Sequence, residues 1–228
     1  MAESTGRKLP LFERATLFKG IGASARDALM REARWVEVER RGVLFTQGAD
    51  AGELFLLGAG RVRLVRTGPD GKQITLGYRG AGELAGETGW GGVHTAEARV
   101  VERLEALRIP RRRLEAAMVA DGRLAVRLVA MLSKRVGDLE RRMEALLTRP
   151  VESRVADFLV DASRRHGIPD SRGVLIGVKF THQEIASYVG STRETVTLVL
   201  GDLKRRGLIG TDHRRVIVHE SEALERLV

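Results

Sequence analysis

Three hydrophobic rhythms follow one another along the 228 residues. Between residues 35 and 109 the apolar positions come in short runs and alternations: Trp35-Val36-x-Val38, Val43-Leu44-Phe45, residues 54–57, Val62-x-Leu64-Val65, Ile74-x-Leu76-x-Tyr78, Ala98-x-Val100 and Leu104-x-Ala106-Leu107-x-Ile109. Gly48, Gly52, Gly58, Gly60, Gly68, Gly71, Gly80 and Gly82 punctuate them, and Pro69-Asp70-Gly71-Lys72 has the composition of a hairpin turn. This pattern predicts about seven or eight short strands closed into a jelly roll or barrel.

The second rhythm starts at Arg111. Beyond a break at Asp121-Gly122, the residues Ala125, Val129, Leu132, Val136, Leu139, Met143 and Leu146 alternate at spacings of four and three, a heptad seam suited to a parallel coiled-coil dimer. Arg127, Lys134, Arg135, Asp138, Glu140, Arg141, Arg142 and Glu144 flank that seam and are expected on solvated faces. Pro150 ends the helix and marks a hinge.

The third rhythm is helical again, with Val155, Phe158, Leu159 and Ala162 on one face. Residues 166–173 read as a loop and Val174-x-Ile176-x-Val178 as a strand. Residues 181–207 then form two short helical patterns around Gly190. Ile185, Tyr188 and Val189 carry the apolar face of the first, and Val196, Val199, Leu200 and Leu203 that of the second. Thr181 with Glu184, and Ser191 with Glu194, have capping-box spacing; Gly207 supplies a stop. Leu208-Ile209, a polar turn at residues 211–214 and Val216-Ile217-Val218 predict a two-stranded wing. At the other end of the chain, residues 1–10 read as a polar, loosely held lead-in. Phe12, Leu17, Phe18 and Ile21 follow, and Ser24 is the expected cap of a helix over residues 25–33. Residues 220–228 read as a last helical turn or tail.

Two helices joined this tightly, the second presenting Arg193, Glu194 and Thr197 from its first turns, have the geometry of a helix-turn-helix whose recognition helix enters the DNA major groove. The expected DNA contacts are Thr181, Gln183, Ser191, Thr192, Arg193, Glu194, Thr197, Lys204, Arg205 and Arg214. Arginine donates bidentately to guanine and glutamate accepts from cytosine, so Arg193 and Glu194 suit a G·C-containing step. Whether the Glu194 carboxylate is instead spent on Ser191 is left open by the spacing, as is the choice between Ser191 and Thr192 as cap.

Net charge sharpens this only modestly. The chain carries +9 with a pI near 10.7, which suits a polyanionic partner. However, residues 150–228 hold 12 Lys and Arg against 11 Asp and Glu, so the DNA reading rests on where charges sit. The absence of cysteine excludes disulfides, thiolate zinc sites and cysteine-ligated clusters. No signal-peptide pattern or membrane-length apolar run occurs, so a cytoplasmic protein without membrane contact is expected.

The order of β-barrel, long dimer helix, hinge and winged helix-turn-helix resembles the Crp/Fnr superfamily of bacterial transcription regulators. The resemblance covers residues 12–218, and its most specific stretch is THQEIASYVGSTRETVTLVLGDLKRRGLI. Phe45-Thr46-Gln47-Gly48, residues 54–62 around Gly58 and Gly60, Pro69-Asp70-Gly71-Lys72 and Gly82-Glu83-Leu84-Ala85-Gly86-Glu87 are similar to that family's cyclic-nucleotide-binding fold. It implies an α+β protein in three parts. Residues 1–120 would be an N-terminal double-stranded β-helix (jelly-roll) sensor, 121–149 a coiled-coil dimer helix, and 150–228 a C-terminal winged helix-turn-helix. It further implies a homodimer, double-stranded DNA with two-fold symmetry, and RNA polymerase as a partner. The seam would be Val129, Leu132, Val136, Leu139, Met143 and Leu146.

Carried over by position, the effector pocket would comprise Gly86, Glu87, His94, Thr95, Arg99, Leu139 and Glu140. In cyclic-AMP-binding relatives the glutamate holds the ribose and a following arginine neutralises the phosphate. Here the arginine position reads His94 in a shortened loop, and a Thr-Ser pair of the dimer helix reads Leu139-Glu140. Arg99 could substitute only if the loop folds differently. These changes argue against cyclic AMP and leave another small molecule, another nucleotide, or no ligand. His94 is read as a solvated loop histidine in preference to a ligand or haem axial residue, and Trp90 as barrel filling. Where relatives that read a TGTGA-type half-site place a further arginine, this chain has Leu198. No catalytic group or metal site is read. A regulator of the same fold controlled by its abundance, and a cupin-like small-molecule-binding or metal protein with a DNA-binding appendage, are the alternatives.

Overall fold

The computed structural model describes residues 2–228, with side chains from Lys8 onward. By contact density the chain divides into two units, Met1–Val136 and Gly137–Val228.

The first unit opens with α1 (Ala2–Arg14) and α2 (Ala23–Glu32). Residues 2–10, expected as a loose lead-in, are helical. The buried Lys8 ammonium donates to the carbonyls of Met30 and Ala33 at 2.8 Å, holding α1 to the C-terminal end of α2. Gly22, not Ser24, is the α2 cap, and the Gly22 N–H is taken by the carboxylate of Asp121 at 2.7 Å.

Six strands follow: β1 (Arg34–Val38), β2 (Val43–Phe45), β3 (Glu53–Thr67), β4 (Gln73–Arg79), β5 (Leu84–Ala85) and β6 (Glu97–Pro110). They pair antiparallel in the order β1-β6-β3-β4, with β2 also on β6 and β5 on β3. Two of them are longer than the glycine spacing predicts. Gly58 and Gly60 do not end a strand: β3 runs on past them against β6 with its register shifted between Leu57 and Val62. At Gly60, φ is +77° and an added Cβ would overlap the Arg103 carbonyl, so glycine here permits a bulge and a bend. The two runs at Ala98 and Leu104 likewise belong to one strand, β6.

The run Leu54-Phe55-Leu56-Leu57 is apolar throughout because both of its faces are buried. With side chains alternating, Leu54 and Leu56 join α1, α2 and α3 in one core, while Phe55 and Leu57 meet Val62, Leu64, Ala98, Val100, Leu104 and Ala106 in the barrel interior. α3 (Arg111–Ala120) and α4 (Gly122–Thr148) close the unit, contributing Leu114, Ala117, Leu124 and Leu128 to the helical core. The unit boundary falls within α4.

The second unit adds α5 (Val151–His166), β7 (Gly167–Asp170), β8 (Gly173–Ile176), α6 (His182–Val189), α7 (Arg193–Arg205), β9 (Ile209–Asp212), β10 (Arg215–Val218) and α8 (Ser221–Glu225). Its sheet is ordered β7-β8-β10-β9. The expected loop at residues 166–173 is in fact half of a hairpin, β7 pairing β8 from Gly167↔Ile176 to Asp170↔Gly173. Pro169 disguises it, tolerated because β7 is an edge strand. Val155, Phe158, Leu159 and Ala162 of α5 pack on Ile185, Val189, Val196, Leu200 and Leu203 of α6 and α7 in one core.

Candidate nucleic-acid interface and effector pocket

Thr181 caps α6 through a full capping box: its hydroxyl accepts from the Glu184 N–H at 3.1 Å, and the Glu184 carboxylate accepts from the Thr181 N–H at 2.7 Å. Gly190 then ends α6 in the left-handed region, φ 66°, and an added Cβ would lie 2.5 Å from Leu146 Cδ2. The second cap is Thr192, whose hydroxyl accepts from the Thr195 N–H at 3.2 Å. The Ser191–Glu194 box does not form. Thr192 wins because its extended backbone directly precedes the first helical residue, which leaves the exposed Glu194 carboxylate clear of the cap.

α7 buries Val196, Leu200 and Leu203 and exposes Arg193, Glu194, Thr197 and Leu198. The Thr197 hydroxyl is engaged within the chain. It donates to the Arg193 carbonyl at 2.8 Å, so the 2.7 Å contact from His182 Nδ1 requires the imidazole to be the donor there. His182, at the first position of α6, is not marked by any sequence pattern. Thr181, Gln183 and Thr192 are exposed around the turn, and Ser191 is half-buried.

Beyond α7, Lys204 donates to Thr211 Oγ1 of β9 at 3.3 Å, and Arg205 pairs with Asp202 at 2.9 Å. The β9–β10 turn places His213 at φ 44° and Arg214 at φ 64°, both exposed at the tip. Two consecutive positive φ values are the two-residue hairpin geometry that matches strand twist, ordinarily built with Asn and Gly. Arg172, in the β7–β8 turn, bonds both Asp170 and Asp212, bracing the wing and holding the Asp170 carboxyl down at about 2.

In the first unit, the Glu87 carboxylate is 3% exposed and lies between two guanidiniums, Arg79 of β4 at 3.5 Å and Arg135 of α4. Arg135 also donates to the Leu84 carbonyl at 3.0 Å. The solvated face expected for Arg135 is not where it lies; burial holds its guanidinium below the ordinary value, with Glu87 pulling the other way. No periodicity marks Arg79 or Arg135, because their partner lies elsewhere in the chain.

His94 is likewise buried, at 3% exposure, not solvated. Its ring stacks on Phe45 with centroids 3.9 Å apart and planes 16° from parallel, against the backbone of Gly86 and Gly89. Two backbone hydrogen bonds hold it there: the His94 N–H donates to the Ala49 carbonyl at 2.8 Å and its carbonyl accepts from Gly48 at 2.8 Å. Burial lowers its pKa, opposed by Asp50 and Glu87. Glu87 Oε2 and His94 Nδ1 have no hydrogen-bond partner among the described residues.

Of the other expected pocket residues, Gly86 adopts φ 94° before the turn at Glu87–Gly89, Thr95 is exposed, and Arg99 pairs with Glu97 on its own strand. The structure therefore gathers Glu87 and His94 but not Thr95 or Arg99. Leu139 and Glu140 are exposed on the part of α4 that belongs to the second unit. Trp90, expected to fill the barrel, packs instead on the helical core of the first unit.

Along α4, Val129, Val136, Leu139, Met143 and Leu146 are exposed large apolar residues, whereas Leu132 packs partly on the core of the first unit. Arg142, also expected in solvent, lies over the Tyr188 ring at 4.0 Å. Among the described residues, no helix is long and apolar enough to cross a membrane, and no group of three His, Asp or Glu is placed to hold a metal.

Comparison with known proteins agrees with this architecture. Residues 35–121 match the cyclic nucleotide-binding domain and residues 153–227 the Crp-like helix-turn-helix domain. The CRP-like cAMP-activated global transcriptional regulator of Mycobacterium tuberculosis is 28% identical over 218 residues, covering 95% of this chain and 97% of the relative. The global nitrogen regulator of Synechococcus elongatus is 31% identical over 215 residues, covering 92% and 95%. The crystal structure of a CRP-family transcriptional regulator from Thermus thermophilus superposes with a TM-score of 0.70 at 30% identity, covering 84% of this chain and 95% of that one. With a jelly-roll domain ahead of a winged helix-turn-helix, and relatives that match both along nearly their whole length, this chain belongs to the Crp/Fnr family of DNA-binding transcription regulators.

Proposed function

We propose that the chain acts as a homodimer that reads a two-fold symmetric operator, one recognition helix per half-site. The observation that carries this reading is α7 itself. It buries one face, is capped by Thr192, and leaves Arg193 and Glu194 exposed and uncommitted to the cap. Arg193 and Glu194 would read base edges, while Thr181, Gln183, Ser191, Thr192, Lys204, Arg205 and Arg214 would lie along the phosphates. The exposed α4 stripe supports pairing of two copies, since solvent-facing apolar residues at heptad spacing gain by burial against each other. Residues 1–120, 121–149 and 150–228 then act as sensor, dimer helix and DNA-binding domain. The protein works by binding, not catalysis, in the cytoplasm, with RNA polymerase as its further partner.

The sensor would take a guest other than cyclic AMP. The M. tuberculosis relative is named as cAMP-activated. In this chain the residue at the phosphate-neutralising position is His94, which burial disfavours charging, and the ribose-holding glutamate is already paired to Arg79 and Arg135. The buried Glu87 Oε2 and His94 Nδ1 would be satisfied by a small polar guest.

Selection of the purified protein on a random DNA pool, with and without cyclic AMP at fixed salt, tests this reading. Enrichment of a palindrome without nucleotide is expected. Enrichment only with cyclic AMP would overturn the pocket assignment, and enrichment of an asymmetric single site would overturn the dimer.

A further inference from the structure

From the exposure of Leu198 we infer that it is a specificity-determining residue, reading the C5-methyl group of a thymine in each half-site. This rests on the DNA-binding reading of α7 above. Leu198 is 73% exposed on a helix that buries its other aliphatic positions in whole or part. At about 100° per residue it stands about 160° around α7 from both Val196 and Leu200, opposite the core. It shares the outward face with Glu194, one turn before it, and Gly201, three residues on, has no side chain to crowd it.

The polar chemistry of this face is nearly exhausted without Leu198. Arg193 and Glu194 can address guanine and cytosine, but the Thr197 hydroxyl is already spent on the Arg193 carbonyl and His182. Leucine can neither donate nor accept a hydrogen bond. In the major groove the one apolar feature that distinguishes a base is the methyl group of thymine. An exposed isobutyl group on the face that enters the groove is therefore matched to T, and mismatched to the polar edges of guanine, cytosine and adenine.

Replacing thymine by deoxyuridine removes only that methyl group and keeps every hydrogen bond of the base pair. On the operator obtained by selection, each thymine is replaced singly and binding is measured at fixed salt. One position per half-site should weaken wild-type binding about fourfold, the worth of one buried methyl-sized group, and symmetric replacement in both half-sites about sixteenfold. Leu198→Ala, a change on the exposed face of a helix to its best former, removes most of the apolar reach and should lose most of the discrimination between thymine and uracil operators. Leu198→Arg should select guanine in place of thymine at that position.

A wild-type protein indifferent to uracil at every thymine would overturn the inference, as would a Leu198→Ala variant with undiminished sensitivity or a Leu198→Arg variant that still selects thymine. Failure of the wild type to enrich any sequence would instead overturn the DNA-binding reading and the inference with it.

Discussion

The guanidinium of Arg154 donates to the carbonyl oxygen of Gly190 across 3.3 Å. The same side chain donates to Arg149 at 2.9 Å and to Leu146 at 3.3 Å, the orphan carbonyls at the end of α4. One cation thus joins the end of the long helix to the turn from which the recognition helix departs. Arg154→Met should lose roughly 1.5–3 kcal/mol of stability, the worth of a hydrogen bond to a charged group. It should also loosen DNA binding although Arg154 lies outside the proposed DNA contacts. Arg154→Lys, which keeps the charge without the fork, should fall between. Urea unfolding and DNA titration check both effects; wild-type affinity in Arg154→Met would show that the turn needs no such tie.

Leu139 sits halfway along the exposed α4 stripe. Placing a carboxylate there would set two like charges against each other across a paired seam. Leu139→Glu should sediment as a monomer and lose on the order of 100-fold or more in operator affinity, because each half-site must then be bound without the avidity of its twin. A dimer of unchanged strength would place the interface elsewhere.

The parts of this molecule legible in its sequence are those with local causes. The capping box at Thr181, the stop at Gly207 and the helical periodicity of α4 each lie within a few residues of what they determine. Non-local causes are hidden from such a reading. Gly58 and Gly60 look like a turn until β6 is seen to pair on past them, and β7 is concealed by Pro169 until β8 is beside it. Arg79 and Arg135 are unremarkable cations in sequence; only the fold brings them to Glu87. The choice between Ser191 and Thr192 as cap is a contest between neighbouring hydroxyls that spacing alone does not decide.

The charge count around Glu87 orders two substitutions. Two guanidiniums share one buried carboxylate, so Glu87→Gln leaves Arg79 and Arg135 without their paired anion, with only the field of Glu83 still acting on Arg135, and should cost roughly 3–5 kcal/mol. Arg79→Met removes the surplus cation and leaves a balanced Glu87–Arg135 pair, so its cost should be smaller. Thermal unfolding of the two variants gives the order. Equal losses would mean that packing, not charge, dominates there.

His94 links stability to pH. Burial lowers its pKa from the ordinary 6.5, so the folded protein resists a proton that the unfolded chain accepts. Above that ordinary value both states are neutral and the full stability is present; as pH falls below it, the unfolded state binds more protons and stability declines. His94→Phe keeps an aromatic ring against Phe45 and removes the titration. Denaturant unfolding at about pH 8 and about pH 5.5, on either side of that value, should therefore show a larger acid loss in wild type than in His94→Phe. Parallel losses would assign the acid sensitivity to other groups.

The wing tip combines a left-handed backbone with an exposed cation. His213 and Arg214 both hold positive φ in a turn that Asn and Gly would occupy with less strain. An arginine is a poor choice for that backbone, and its guanidinium is exposed at the end of a hairpin beyond the recognition helix, where the proposed phosphate contact would use it. Arg214→Gly should accordingly raise stability, by roughly 1 kcal/mol from relieved left-handed strain. The same variant should bind operator and non-operator DNA more weakly by similar factors, since a phosphate contact carries no base information. The slope of log affinity against log salt should flatten by about 0.9 for each chain, the counter-ion released by one phosphate contact. A stabilised variant with wild-type affinity and slope would place Arg214 off the DNA. A variant both less stable and weaker would mean that the turn depends on the arginine for its own structure.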